Sequence, residues 1–131
     1  MAYEIPGFTM TFEASGDLSA AQYKFVKLDT NGQVAVCGAV TDNPIGILQD
    51  KPAAIGRAAT VMVWGVSKVS ADASLALADY VGPSVDGQAA VYVHGTDTTK
   101  YIVGQVVEAA GAAGRLASVL FSCLPNSGRA A

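Results

Sequence analysis

The sequence predicts a mainly β fold: a compact β-sandwich or barrel-like domain built from two similar β-units, with at most one or two short helices. Three observations carry this reading. Apolar residues alternate with polar ones at period two along several short runs, which marks half-buried strands rather than helix faces. Clusters of Gly, Asp, Asn and Pro punctuate those runs at turn spacing. The second half of the chain repeats the first. A length of 131 residues suits one domain with a single buried interior.

Taken in order, residues 1–7 hold Tyr3, Ile5 and Pro6 and read as an extended N-terminal arm ahead of the β domain, residues 8–124. Phe8, Met10 and Phe12 then alternate with Thr9, Thr11 and Glu13 until Gly16-Asp17 closes the run. Residues 23–28 and 33–37 flank Asp29-Thr30-Asn31-Gly32, where Asn-Gly supplies the positive φ of a tight hairpin. Ile45-Gly46-Ile47-Leu48 follows, closed by Asp50-Lys51-Pro52. The long Val-rich run 59–69 has Gly65 at its centre, which predicts a bend or bulge. Residues 70–79 have the one helix-friendly composition, with Ser70 or Asp72 as a cap. Residues 125–131, rich in breakers, read as a tail.

The repeat spans about residues 18–69 and 75–124. Leu18-Ser19-Ala20-Ala21-Gln22-Tyr23 corresponds to Leu75-Ala76-Leu77-Ala78-Asp79-Tyr80, and Gly32-Gln33-Val34 to Gly87-Gln88-Ala89. Ile45-Gly46-Ile47 corresponds to Val103-Gly104-Gln105, and Gly56-Arg57-Ala58-Ala59 to Gly114-Arg115-Leu116-Ala117. The register drifts only where loops fall, as small insertions between strands produce. Two copies are too few for a solenoid and fit two β-units packed into one body. The Ala/Gly-rich stretches 49–57 and 107–115 are matched loops, serving as turns or as flat surfaces for contact.

Charge and composition narrow the function. Eight basic and eleven acidic residues are scattered, so no basic stripe offers itself to nucleic acid. Arg57 and Arg115 interrupt the longest apolar candidates before the ~18 residues a membrane helix needs. The opening residues show neither a basic nor an apolar leader region, so the expected compartment is a reducing cytoplasm. Cys37 and Cys123 lie in apolar runs and read as buried free thiols, with a disulfide as the alternative.

No arrangement suited to catalysis is visible. His94 stands alone in a loop, beside Gly95 and Thr96, and reads as a solvated residue. Neither the spacing of a zinc site nor that of a calcium loop or phosphate cradle occurs, so no catalytic residue, metal or cofactor is expected. Trp64, the single tryptophan, suits either a core or an interface anchor. Tyr3 and Ile5 could anchor a strand added to a partner's sheet edge.

The run Gly32-Gln33-Val34-Ala35-Val36, then Pro44-Ile45-Gly46-Ile47-Leu48, then Gly56-Arg57-Ala58-Ala59-Thr60-Val61-Met62-Val63, resembles the capsid cement, or head decoration, proteins of tailed bacteriophages. The segments 102–111 and 114–120 strengthen the likeness, which covers roughly residues 18–122. The resemblance implies a non-enzymatic virion protein, made in the host cytoplasm, that binds the capsid exterior and clamps neighbouring major capsid protein subunits, often as a homotrimer. The expected interface residues are Tyr3, Ile5, Pro6, Phe8 and Trp64. The competing reading is a virion or tail module that recognises carbohydrate or a host surface, for which Trp64, Tyr92 and Tyr101 are the available aromatics.

Overall fold

The computed structural model describes residues 2–123. The expected tail, residues 125–131, lies outside the described residues. Among the described residues there are nine strands: β1 (Ile5–Ala14), β2 (Phe25–Leu28), β3 (Gln33–Val36), β4 (Gly46–Leu48), β5 (Ala58–Ser70), β6 (Tyr80–Pro83), β7 (Ala89–Val91), β8 (Gly104–Glu108) and β9 (Leu116–Ser122). They form one sheet in the order β1-β3-β2-β4-β5-β9-β8-β6-β7, with a further pairing of β1 to β5.

That further pairing closes the first five strands into a ring, β1-β3-β2-β4-β5 and back to β1. The second unit closes in the same way. β7, β6, β8 and β9 pair in series, β9 lies antiparallel to β5, and an Ala71↔Ala89 bridge joins the end of β5 to β7. β5 therefore belongs to both rings: its first half ends one and its second half begins the other. The mainly β body of two similar units is the architecture that the alternation and the repeat predict.

The equivalence extends to single hydrogen bonds. The Ala14 N–H donates to the Arg57 carbonyl at 2.8 Å, and the Ala71 N–H to the Arg115 carbonyl at 2.9 Å. At this corner the structural match runs two residues off the sequence alignment: Tyr23 corresponds to Ala78 and Phe25, not Tyr23, to Tyr80, and Tyr23 and Ala78 have φ of 63° and 69°, rare for residues with a Cβ. Their N–H groups reach the Leu48 and Val106 carbonyls, at 2.7 and 2.9 Å. Closing each ring at this corner is what holds the backbone in the left-handed region.

The interiors match as well. Ala14, Leu18, Val26, Val34, Leu48, Ala59 and Val61 fill the first ring. Their counterparts Ala71, Leu75, Val81, Ala89, Val106, Ala117 and Val119 fill the second. The larger core also takes in Phe25, Cys37, Ile47 and Met62, so the outer face of the first unit packs on the second.

Two boundaries differ from the sequence reading. Residues 70–79 hold no helix: Ser70 ends β5, Ala71 bridges to Ala89, Leu75 bridges to Ala110 and Ala78 turns left-handed. Burial of Leu75 and the bridges on either side override a weak local preference. The first strand starts at Ile5 rather than Phe8, because Ile5 and Pro6 pair with Val66 and Gly65. Pro6 is tolerated there because the free side of β1 needs no N–H.

Candidate docking surface

β1 is a strand with little cover. Every residue from Ile5 to Thr11 is exposed, so side chains on both of its faces meet solvent, and only Glu13 and Ala14 pair with β3 on its other edge. It presents Ile5, Phe8 and Met10 as large exposed apolar groups. An edge strand of this kind is a template for contact with another chain.

Trp64 completes the patch. It pairs with Phe8 across β1–β5 and with Ser122 across β5–β9, and it is 44% exposed. Its indole lies against Gly7: a Cβ built on Gly7 would meet Trp64 Cζ3 at 2.6 Å. Gly65 beside it has φ of 134°, and register shifts fall at Pro6/Phe8 and Phe8/Thr9. The irregularity expected at Gly65 is thus present, and it sets Trp64 on the surface instead of in a core. Tyr3 is tied down by its backbone: the Ser118 hydroxyl donates to the Tyr3 carbonyl at 2.6 Å and accepts from the Tyr3 N–H at 2.5 Å. The side chain of Tyr3 stays exposed. The structure thus gathers Ile5, Pro6, Phe8 and Trp64 where the start of β1 pairs with the middle of β5, with Tyr3 fixed to β9.

The remaining candidates are dispersed. Tyr92 is buried, and its hydroxyl donates to the Pro83 carbonyl at 2.7 Å. Burial, together with Asp72 and Asp97, pushes its phenol up to about 12. Tyr101 is half-buried against the larger core, so Trp64, Tyr92 and Tyr101 make no exposed aromatic platform. His94 is exposed, with its ring edge-on to Tyr80 at 5.3 Å between centroids. Asp42 accepts from the Lys27 ammonium and the Gly38 and Ala39 N–H groups. Burial opposes its charge, but these donors outweigh it and hold the carboxyl below its usual range. A shallow cleft of about 530 Å³ lies between β1, the first hairpin turn and Gly56, lined by Thr11, Glu13, Asn31 and Gln33. Among the described residues no three His, Cys, Asp or Glu side chains stand together as a metal set.

Cys37 and Cys123 are free and buried. Burial, then the charge of Asp42, pushes the Cys37 thiol up to about 12; burial, then Cys37, raises that of Cys123. Thiolate is the reactive form, so neither should react in the folded protein. Titration with an aromatic disulfide reagent at pH 8 is expected to find no fast thiol in the native state and two in denaturant. A fast native thiol would contradict the packing.

No protein-family model and no curated protein matches the sequence. Among solved structures, the head fiber gp8.5 N base of bacteriophage phi29 is similar, with a TM-score of 0.61 and 18% sequence identity. The match covers 88% of this chain and 94% of that one. The likeness is one of fold.

Proposed function

We propose that this chain is a non-enzymatic structural protein of a phage virion, which binds the outer surface of the head and stabilises contacts between major capsid protein subunits. The observation that carries the reading is the fold shared with a phage head fiber base along nearly the full length of both chains. The exposed apolar strand supports it. Ile5, Pro6, Phe8 and Trp64, with Tyr3 nearby, offer exposed apolar side chains and a largely open strand edge to the capsid protein. Adhesion through such a surface requires no base, metal or cofactor. Copies arrayed on a shell bind through many modest contacts, so no single one has to be tight.

Co-sedimentation with empty heads tests this. The wild-type chain is expected to pellet with heads, and Phe8→Ala combined with Trp64→Ala is expected to weaken binding by about thirtyfold or more, since truncated aromatic anchors cost at least ~2 kcal/mol. Both side chains are exposed, so far-UV circular dichroism should not change. Wild-type protein that stays in the supernatant while the heads pellet, or a double variant that binds undiminished, would overturn the reading.

A further inference from the structure

The internal repeat says what one of the open surfaces is for. In the first unit, Phe25, Ile47 and Met62 form a cross-strand row over β2, β4 and β5. In the second, Tyr80, Gln105 and Leu120 form the corresponding row over β6, β8 and β9. Phe25 and Met62 are 0% and 1% exposed, whereas Tyr80 and Leu120 are 46% and 54% exposed. Among the described residues the same surface is therefore covered once and open once.

The cover on the first row is known. The turn between β6 and β7 abuts its Phe25 end, where the Gly87 carbonyl accepts from the Phe25 N–H at 2.7 Å and a Cβ on Gly87 would stand 2.8 Å from Val36 Cγ1, while Ile47 and Met62 lie in the core shared with the second unit. Only a glycine turn approaches so closely. The matching turn, Asp29-Thr30-Asn31-Gly32 between β2 and β3, has the same left-handed glycine, with φ of 76° against 80°. Thr30, Asn31 and Gly32 are exposed, and this turn covers no such row within its own chain.

We infer that the Tyr80–Leu120 face receives the β2–β3 turn of a second copy of this chain. The receiving groove has a volume of about 420 Å³ and is lined by Tyr80, His94, Ile102, Gly104, Gln105 and Leu120. The incoming turn reaches the Tyr80 end of this groove, the counterpart of the Phe25 end that the Gly87 turn meets. The lining carries no carboxylate, so the turn's Asp29 faces no like charge, and its Oδ1 already accepts from the Asn31 and Gln33 N–H groups. The copy docks by its turn and does not continue the repeat in full. Steps of 57 and 58 residues take Gly7 to Trp64 and Trp64 to Ser122, so an unbroken third unit would lay the incoming Gly7 on Ser122. The contact is heterologous, turn into face, and produces a ring where the rotation closes and a chain where it does not.

Sedimentation equilibrium of the full chain, without capsids, tests the contact separately from head binding. Wild type is expected to associate reversibly within the range up to about 1 mM. Leu120→Asp removes the face, and Thr30→Arg with Asn31→Arg blocks the turn; each variant alone is expected to be monomeric. Mixed in equal amounts, they are expected to form a dimer and nothing larger, because one intact turn then meets one intact face. A wild type that stays monomeric overturns the inference. So does a turn variant that still associates, since the face would then be meeting itself, and so does association that survives Leu120→Asp. All three positions are exposed, and unchanged thermal melts confirm that the variants fold.

Discussion

Phe25→Ala is expected to destabilise the protein by about 3–5 kcal/mol, because it removes a fully buried aromatic and the cavity can close only in part. Phe25 stands where the outer face of the first unit meets the second, and its carbonyl accepts from the Cys37 N–H at 3.1 Å. For a chain of this length the melting temperature should fall by about 12–20 °C. Tyr80→Ala, the same truncation at the equivalent position, touches an exposed ring and should change stability by only about 0.5 kcal/mol. Thermal unfolding of the pair followed by circular dichroism checks both. Equal effects would mean that the two faces are equally covered in the isolated chain.

Gly65→Ala is expected to release the start of β1 and to cost about 2–3 kcal/mol, through a φ that residues with a Cβ avoid and a collision with backbone. The added methyl would stand 2.5 Å from the Gly7 nitrogen and 3.0 Å from the Ile5 carbonyl oxygen. Neither atom can move without breaking the pairing of Ile5 with Val66 and Pro6 with Gly65. Hydrogen exchange at residues 5–9 should accelerate while the second ring keeps its protection, and head binding should weaken with it. Gly111→Ala is the control: that site has open space and an ordinary φ, so the substitution should be close to neutral. Unchanged exchange at residues 5–9 in Gly65→Ala would show that β1 is held by something other than this close approach.

Much of the fold was legible because the repeat is written in small and apolar residues that both units need at the same places. Val26 and Val81, or Ala59 and Ala117, fill matching interior positions, and period-two alternation marks them. The helix reading of residues 70–79 fails on a signal the repeat itself contained. Leu75 aligns with Leu18, and both serve as ring-closing core residues with N–H groups bonded across a loop, Leu18 to Pro52 and Leu75 to Ala110. Alanine-rich composition spoke louder than that alignment. Trp64 was ambiguous for a different reason. β5 serves two rings, so Val61, Met62 and Val63 are all buried, and alternation cannot tell which face a neighbouring Trp takes. The Tyr80–Leu120 face was missed altogether. Phe25 and Tyr80, like Met62 and Leu120, are both apolar pairs, and sequence alone does not reveal which member has a cover.

The sharing of β5 means that the molecule has no seam along which it could be divided. A fragment ending at residue 70 keeps the first ring but strips Phe25, Ile47 and Met62 of their shelter. A fragment starting at residue 71 lacks a wall. Melting of the chain should therefore be a single event with no half-folded stage.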